Sequence, residues 1–172
     1  MRYVSLAVCL FATACGSGIA DSPTSPSRAL GGLAQTEAQN GEQLPFSGSF
    51  HGLETDVVAP PYLQVNGTAT GTGVHLGSFN AAFTATVTLA TGSATGTISF
   101  TAANGDRLDA SFAGQGAPTA EPNVASIEEV ATINGGTGRF AGATGAFTIH
   151  RLLNQATGVS SGSFDGTLDL NR

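Results

Sequence analysis

Phe79-Asn80-Ala81-Ala82-Phe83-Thr84-Ala85-Thr86-Val87-Thr88-Leu89 alternates apolar with small or polar side chains without a break. Successive side chains of a strand point to opposite faces, so Phe79, Ala81, Phe83, Ala85, Val87 and Leu89 fall on one face. The same period of two recurs on both sides of this stretch. Upstream, Leu44, Phe46, Gly48, Phe50 and Gly52 share a face. Downstream come Ile98, Phe100 and Ala102, then Leu108, Ala110, Phe112 and Gly114. Ile127, Ala131 and Ile133 follow, then Phe147, Ile149 and Leu153, and last Phe164, Gly166, Leu168 and Leu170.

Turn chemistry separates these runs. Asn104-Gly105 is the strongest two-residue hairpin signal, with Thr91-Gly92-Ser93 and Thr157-Gly158 as further turns. Pro60-Pro61 and the segment 118–122, with a proline at each end, break the strand pattern because proline has no N–H to donate. The pattern predicts seven or eight strands, and the short connections make neighbours pair as an antiparallel meander. The opposite face is mostly Thr, Ser, Ala and Asn. A single antiparallel β-barrel of about eight strands fits best. Gly and Phe alternating in size fill a tapered interior, and closure removes exposed edges. A β-sandwich is the alternative; a β-solenoid needs a fixed repeat, which the chain lacks.

Composition agrees with one all-β domain. The chain has 172 residues, of which 41% are hydrophobic, enough for a core. Only 10% are charged, against about 25% in an ordinary soluble domain. With 24 glycines and no tryptophan, a helical bundle is disfavoured. The net charge is −6, and the six basic residues are all arginine. An acidic chain with scattered arginines lacks the footprint that holds a phosphate backbone, so nucleic acid is not an expected partner. Both cysteines, Cys9 and Cys15, precede residue 16. The rest of the chain therefore has no disulfide framework, thiolate metal site or cysteine nucleophile. No cofactor and no metal are expected.

The first residues read as an address. Arg2 precedes an apolar run over 3–11, and Ala12-Thr13-Ala14 stand before Cys15. The run is about half of the roughly 20 residues that a spanning helix needs, so a secretory signal is expected over 1–14. Ala12-Thr13-Ala14-Cys15 resembles a bacterial lipoprotein signal. The resemblance implies that Cys15 receives diacylglycerol and becomes the new N-terminus, anchoring the protein to a membrane. The alternative is an ordinary secretory signal cut after Ala14 or near Ala20. Either way the protein is exported. In a Gram-negative cell, Gly16 after the cysteine implies the outer membrane. Segment 15–43 is then the lipidated cysteine and a flexible tether rich in Gly, Ser, Pro and Thr, with Ser22-Pro23-Thr24-Ser25-Pro26-Ser27 at its centre. The barrel occupies 44–172.

The most distinctive segment is Ile133-Asn134-Gly135-Gly136-Thr137-Gly138-Arg139-Phe140-Ala141-Gly142-Ala143-Thr144-Gly145. It is not a P-loop, because the chain has no lysine, and the dinucleotide pattern fails at Ala141. Gly135-Gly136-Thr137-Gly138-Arg139-Phe140 followed by Gly142-Ala143-Thr144-Gly145 resembles the allene oxide cyclase and dirigent-like barrels. The segment from Gly162 to Leu168 suits their closing strand. The resemblance implies an eight-stranded antiparallel barrel in which Gly135, Gly136, Gly138, Gly142 and Gly145 are structural, allowing positive φ and close packing. It carries over no catalytic residue.

Candidate chemistry centres on Glu129 and Arg151. A hairpin around the Gly-rich segment with Ile133 opposite Phe147 and Ala131 opposite Ile149 sets Glu129 opposite Arg151, both facing the interior. Such a pair grips a ligand carboxylate or holds a general acid or base; its structural counterpart is a buried ion pair. His51, Glu54 and Asp56 look like a metal clip, but on a strand His51 points away from the face shared by Glu54 and Asp56. His75 and His150 are lone histidines expected to face solvent. Asp106 and Asp109 flank Arg107 as surface charge. No G-x-S-x-G elbow is present.

Two functional expectations follow. The first is a non-catalytic, envelope-tethered barrel that binds a small apolar ligand or a protein partner, or serves a structural role. The second is a cyclase or isomerase acting in the lumen, where shape does much of the catalysis. A cavity holding Glu129 and Arg151 favours the second; a lumen packed solid with phenylalanine counts against it. Nothing in the sequence specifies an oligomeric state.

Overall fold

A computed structural model describes residues 43–170. The signal-like segment 1–14, Cys15 and the tether up to residue 42 lie outside the described residues. Eight strands follow one another: β1 (Gln43–Ala59), β2 (Tyr62–Gly73), β3 (Gly77–Thr88), β4 (Ser93–Ala102), β5 (Arg107–Pro118), β6 (Val124–Gly136), β7 (Thr144–Asn154) and β8 (Val159–Asp169). Each pairs antiparallel with the next, and β8 returns to pair with β1, closing the barrel. Closure leaves no second sheet, so the sandwich alternative is not formed. A 3₁₀ turn, Gly138–Phe140, lies in the β6–β7 connection.

β2 is the strand that carries no run of large apolar residues. Its inward row is Leu63, Val65, Gly67, Ala69, Gly71 and Gly73, and it shrinks because neighbours fill the space. A Cβ on Gly67 would meet the Phe83 ring, and one on Gly73 would meet Phe164. The apolar volume on this wall belongs to other strands, so period-two hydrophobicity is weak here while the fold is intact.

The barrel interior is divided along its axis. Towards the end that carries the β2–β3, β4–β5 and β6–β7 connections, Phe46, Phe79, Phe100, Phe147 and Phe164 form one aromatic cluster. The centroids of Phe46 lie 4.9 Å from Phe164 and 5.1 Å from Phe147. Leu76, Leu108, Phe140 and Leu168, all buried, complete that floor. The other end is ringed by the β1–β2, β3–β4, β5–β6 and β7–β8 turns. There β1 outruns β8: its pairing with β8 stops at Leu53, while pairing with β2 continues to Ala59. The β1–β2 hairpin therefore projects past the mouth, with Val57, Val58 and Tyr62 exposed.

The β6–β7 register differs from the sequence expectation by two residues. Ala131 pairs with Phe147, Glu129 with Ile149 and Ile127 with Arg151. A two-residue slip preserves which face every side chain occupies, so the interior set is unchanged while the partners move. Pairing of β6 with β7 stops at Thr132–Ala146, whereas β6 continues along β5 to Gly136 through an irregularity at Asp109/Ala110. The connection is thus not a symmetric hairpin.

Candidate functional site

Three charged side chains converge inside the open half of the barrel: Glu54 from β1, Glu129 from β6 and Arg151 from β7. Their exposures are 6%, 3% and 9%, so each must be paired to remain ionised there. Arg151 Nε and Nη2 donate to Glu129 Oε2 and Oε1, each at 3.3 Å. Arg151 Nη1 donates to Glu54 Oε2 at 2.6 Å. The guanidinium also sits 5.5 Å from the centroid of the Phe83 ring.

Above this cluster lies a cavity of about 220 Å³ that opens at the mouth. Its walls are mainly aliphatic, with Leu63, Val65, Val87, Ile127 and Leu153 prominent, and its charged groups are Glu54, Asp56, Glu129 and Arg151. Asp56 is an exposed residue at the rim, and no hydrogen bond from the described residues engages its carboxylate. Burial raises the Glu54 pKa above the ordinary carboxylate value; Arg151 opposes the shift, and Asp56 and Glu129 reinforce it. Burial likewise raises Asp56, again against the pull of Arg151. Burial alone would lower the Arg151 pKa, but Glu129 and Glu54 outweigh it and raise it.

The sequence pairing of Glu129 with Arg151 thus corresponds to a diagonal rather than a directly opposed pair. Glu54 was missed as the second partner. The signal was the parity of β1: the inward row Phe46, Gly48, Phe50, Gly52 continues to Glu54 and Asp56. His51 lies on the outer face, apart from both. Among the described residues no three His, Cys, Asp or Glu side chains are arranged to hold a metal ion. Ser160, 1% exposed on the inward row of β8 and paired in register with Gly52, has a hydroxyl with no hydrogen-bond partner among the described residues.

The Gly-rich segment lies at the opposite end from the cavity. Gly135, Gly138, Gly142 and Gly145 have positive φ, and Gly136 abuts the Arg107 carbonyl. At Gly145, with φ +135°, the Thr167 carbonyl also occupies the space a side chain would need. Asp106 is more than surface charge. It accepts from Asn104 Nδ2 at 2.7 Å and from the Arg139 backbone N–H at 3.3 Å, tying the β4–β5 turn to the 3₁₀ turn. Asp109 accepts from Ser99 Oγ at 2.6 Å and from Arg107 Nε at 3.0 Å. His150 is exposed, 3.4 Å from Glu128. His75 departs from expectation: it is half-buried in the β2–β3 turn with φ +63°, and its Nε2 is shielded from solvent without a partner.

Fold and cavity define a closed, eight-stranded antiparallel barrel with one aromatic-filled half and one hollow, charged half. Its architecture is dirigent-like. A pterocarpan synthase dirigent protein matches it with a TM-score of 0.54 and 17% identity, over 87% of this chain and 98% of that one. At that identity the likeness establishes the fold. No family model matches the chain, and no curated protein does.

Proposed function

We propose that this protein is an exported, membrane-anchored barrel that takes up a small, largely apolar molecule at its open mouth and releases it unchanged. The observation that carries the reading is the hollow half of the lumen: about 220 Å³, mostly aliphatic, with few polar groups at its base. That form is typical of small-molecule sites, and its volume is below the roughly 300–1,000 Å³ of sites for drug-sized ligands. Arg151, Glu54 and Glu129 are engaged with one another, which suits a fixed base for the cavity better than groups that exchange protons with a substrate. Cys15 would supply the anchor and 16–43 the tether.

The test is to isolate the full chain from its native envelope and apply native mass spectrometry, then solvent extraction. A reproducible bound molecule recovered intact is expected; an empty barrel overturns the reading. Cys15→Ser should move the protein from the membrane to the soluble fraction. Unchanged fractionation would remove the lipid anchor.

One observation favours a second reading, a cyclase or isomerase. Glu54 has its pKa raised by burial beside a cavity, the condition under which a carboxylic acid keeps a proton to donate. The name of the structural neighbour, a pterocarpan synthase, adds an analogy of fold and no more. Recovery of a substrate and its isomer together would select this reading.

A further inference from the structure

We infer that the molecule taken up at the mouth is an organic cation, a compact ammonium compound with an apolar body, held by Asp56 and the unoccupied edge of Glu54. The inference rests on the mouth being a ligand site and names the chemistry that this site selects.

Arg151 is already committed to two acids. All three nitrogens of its guanidinium donate to Glu129 or Glu54. Two of its five N–H groups are left over, but a ligand carboxylate meeting them would bring another negative charge beside two buried ones. The charge of the cavity points the other way. Its charged lining is three carboxylates, Glu54, Asp56 and Glu129, against the one guanidinium of Arg151. With Asp56 ionised, the balance is negative whether or not Glu54 keeps a proton. Aliphatic walls around such a site lower the effective dielectric and focus its field, drawing positive charge to it.

Acceptor capacity is also left unused. Among the described residues Asp56 has no hydrogen-bond partner, and Glu54 is engaged through Oε2 alone. A metal ion does not fit, since no three metal-ligating side chains converge among the described residues. An ammonium with an apolar body does: its N–H groups donate to Asp56 and Glu54, and Leu63, Val87, Ile127 and Leu153 receive its body.

The test uses the full chain and three probes of one shape, benzylamine, benzyl alcohol and benzoate, measured by isothermal titration calorimetry at low salt. Benzylamine should bind about tenfold more tightly than benzyl alcohol, with benzoate weakest. Asp56→Asn should weaken benzylamine about tenfold, and Asp56→Glu should recover most of the loss. Asp56 is exposed and unbonded, so neither change threatens the fold. Benzoate binding as well as benzylamine, or benzylamine indifferent to Asp56→Asn, overturns the inference and leaves the mouth as a binding site. Binding of none of the three overturns the inference and counts against the mouth as a site for small molecules.

Discussion

Arg151 Nη1 lies 2.6 Å from Glu54 Oε2, although 97 positions separate the two residues and β8 stands between their strands. Side chains on the inner wall of a narrow barrel point towards one another, so strands that share no hydrogen bonds can meet across the lumen. Through Arg151 the last third of the chain is tied to the first strand, and through Glu129 to β6 as well.

Replacing Arg151 with Met should cost about 3–5 kcal/mol near neutral pH, because it leaves Glu54 and Glu129 buried without compensation. Urea unfolding measures this. The deficit should shrink in acid as Glu54, whose pKa burial raises, takes up a proton. The triple change Arg151→Met, Glu54→Leu, Glu129→Leu should recover most of the stability. A single Arg151→Met that unfolds like the parent at neutral pH would show that the three groups are solvated.

Glu54 predicts a specific pH dependence. Its pKa is raised mainly by burial, so the folded chain holds this proton more tightly than the unfolded chain. The associated stability is complete below the unperturbed value of 4.5 and is lost as pH rises through the raised value. Asp56, raised for the same main reason, adds a slope of the same sign. Urea midpoints from about pH 4 to about pH 8 should fall with pH, and Glu54→Gln should flatten the fall. An identical slope in the variant would exclude Glu54 as its source.

Gly48→Ala should destabilise by about 1–3 kcal/mol through overpacking. The added methyl would enter the space of the Phe164 ring and of the Thr72 carbonyl oxygen, and Phe164 is packed against Phe46, Phe79, Phe100 and Phe147. Thermal unfolding checks the value. A neutral result would mean that the aromatic cluster has room to shift.

Asp106→Ala removes the acceptor shared by Asn104 and the Arg139 backbone. A loss of about 1–2 kcal/mol is expected. Amide exchange should quicken over 137–143 while the β1–β2 hairpin, at the other end, keeps its protection. Uniform acceleration across the barrel would instead assign Asp106 to global stability.

The strands that carry phenylalanine were legible because burying one face of a sheet imposes a period of two. β2 was not, because four of its six inward positions, Gly67, Ala69, Gly71 and Gly73, are glycine or alanine, with Phe83 and Phe164 filling the space at Gly67 and Gly73. Asp106 was read as surface charge for a related reason: its partners, the Asn104 turn and the Arg139 backbone, meet only once two connections at one end of the barrel are folded together.

Face assignment is a local property. Alternation alone put Glu129 and Arg151 on inward rows and Glu54 and Asp56 on one shared face, and that much the sequence determined by itself, together with closure into about eight antiparallel strands. Partner assignment is not local. The β6–β7 register shifted by two residues without turning any side chain to the other face, so no pattern along the chain could have distinguished it. Only the closed barrel decided that Arg151 meets Glu54 across β8, that the phenylalanines fill one half of the lumen, and that the charged half stays hollow. Those outcomes depend on how the walls curve towards each other, and curvature is a property of all eight strands at once.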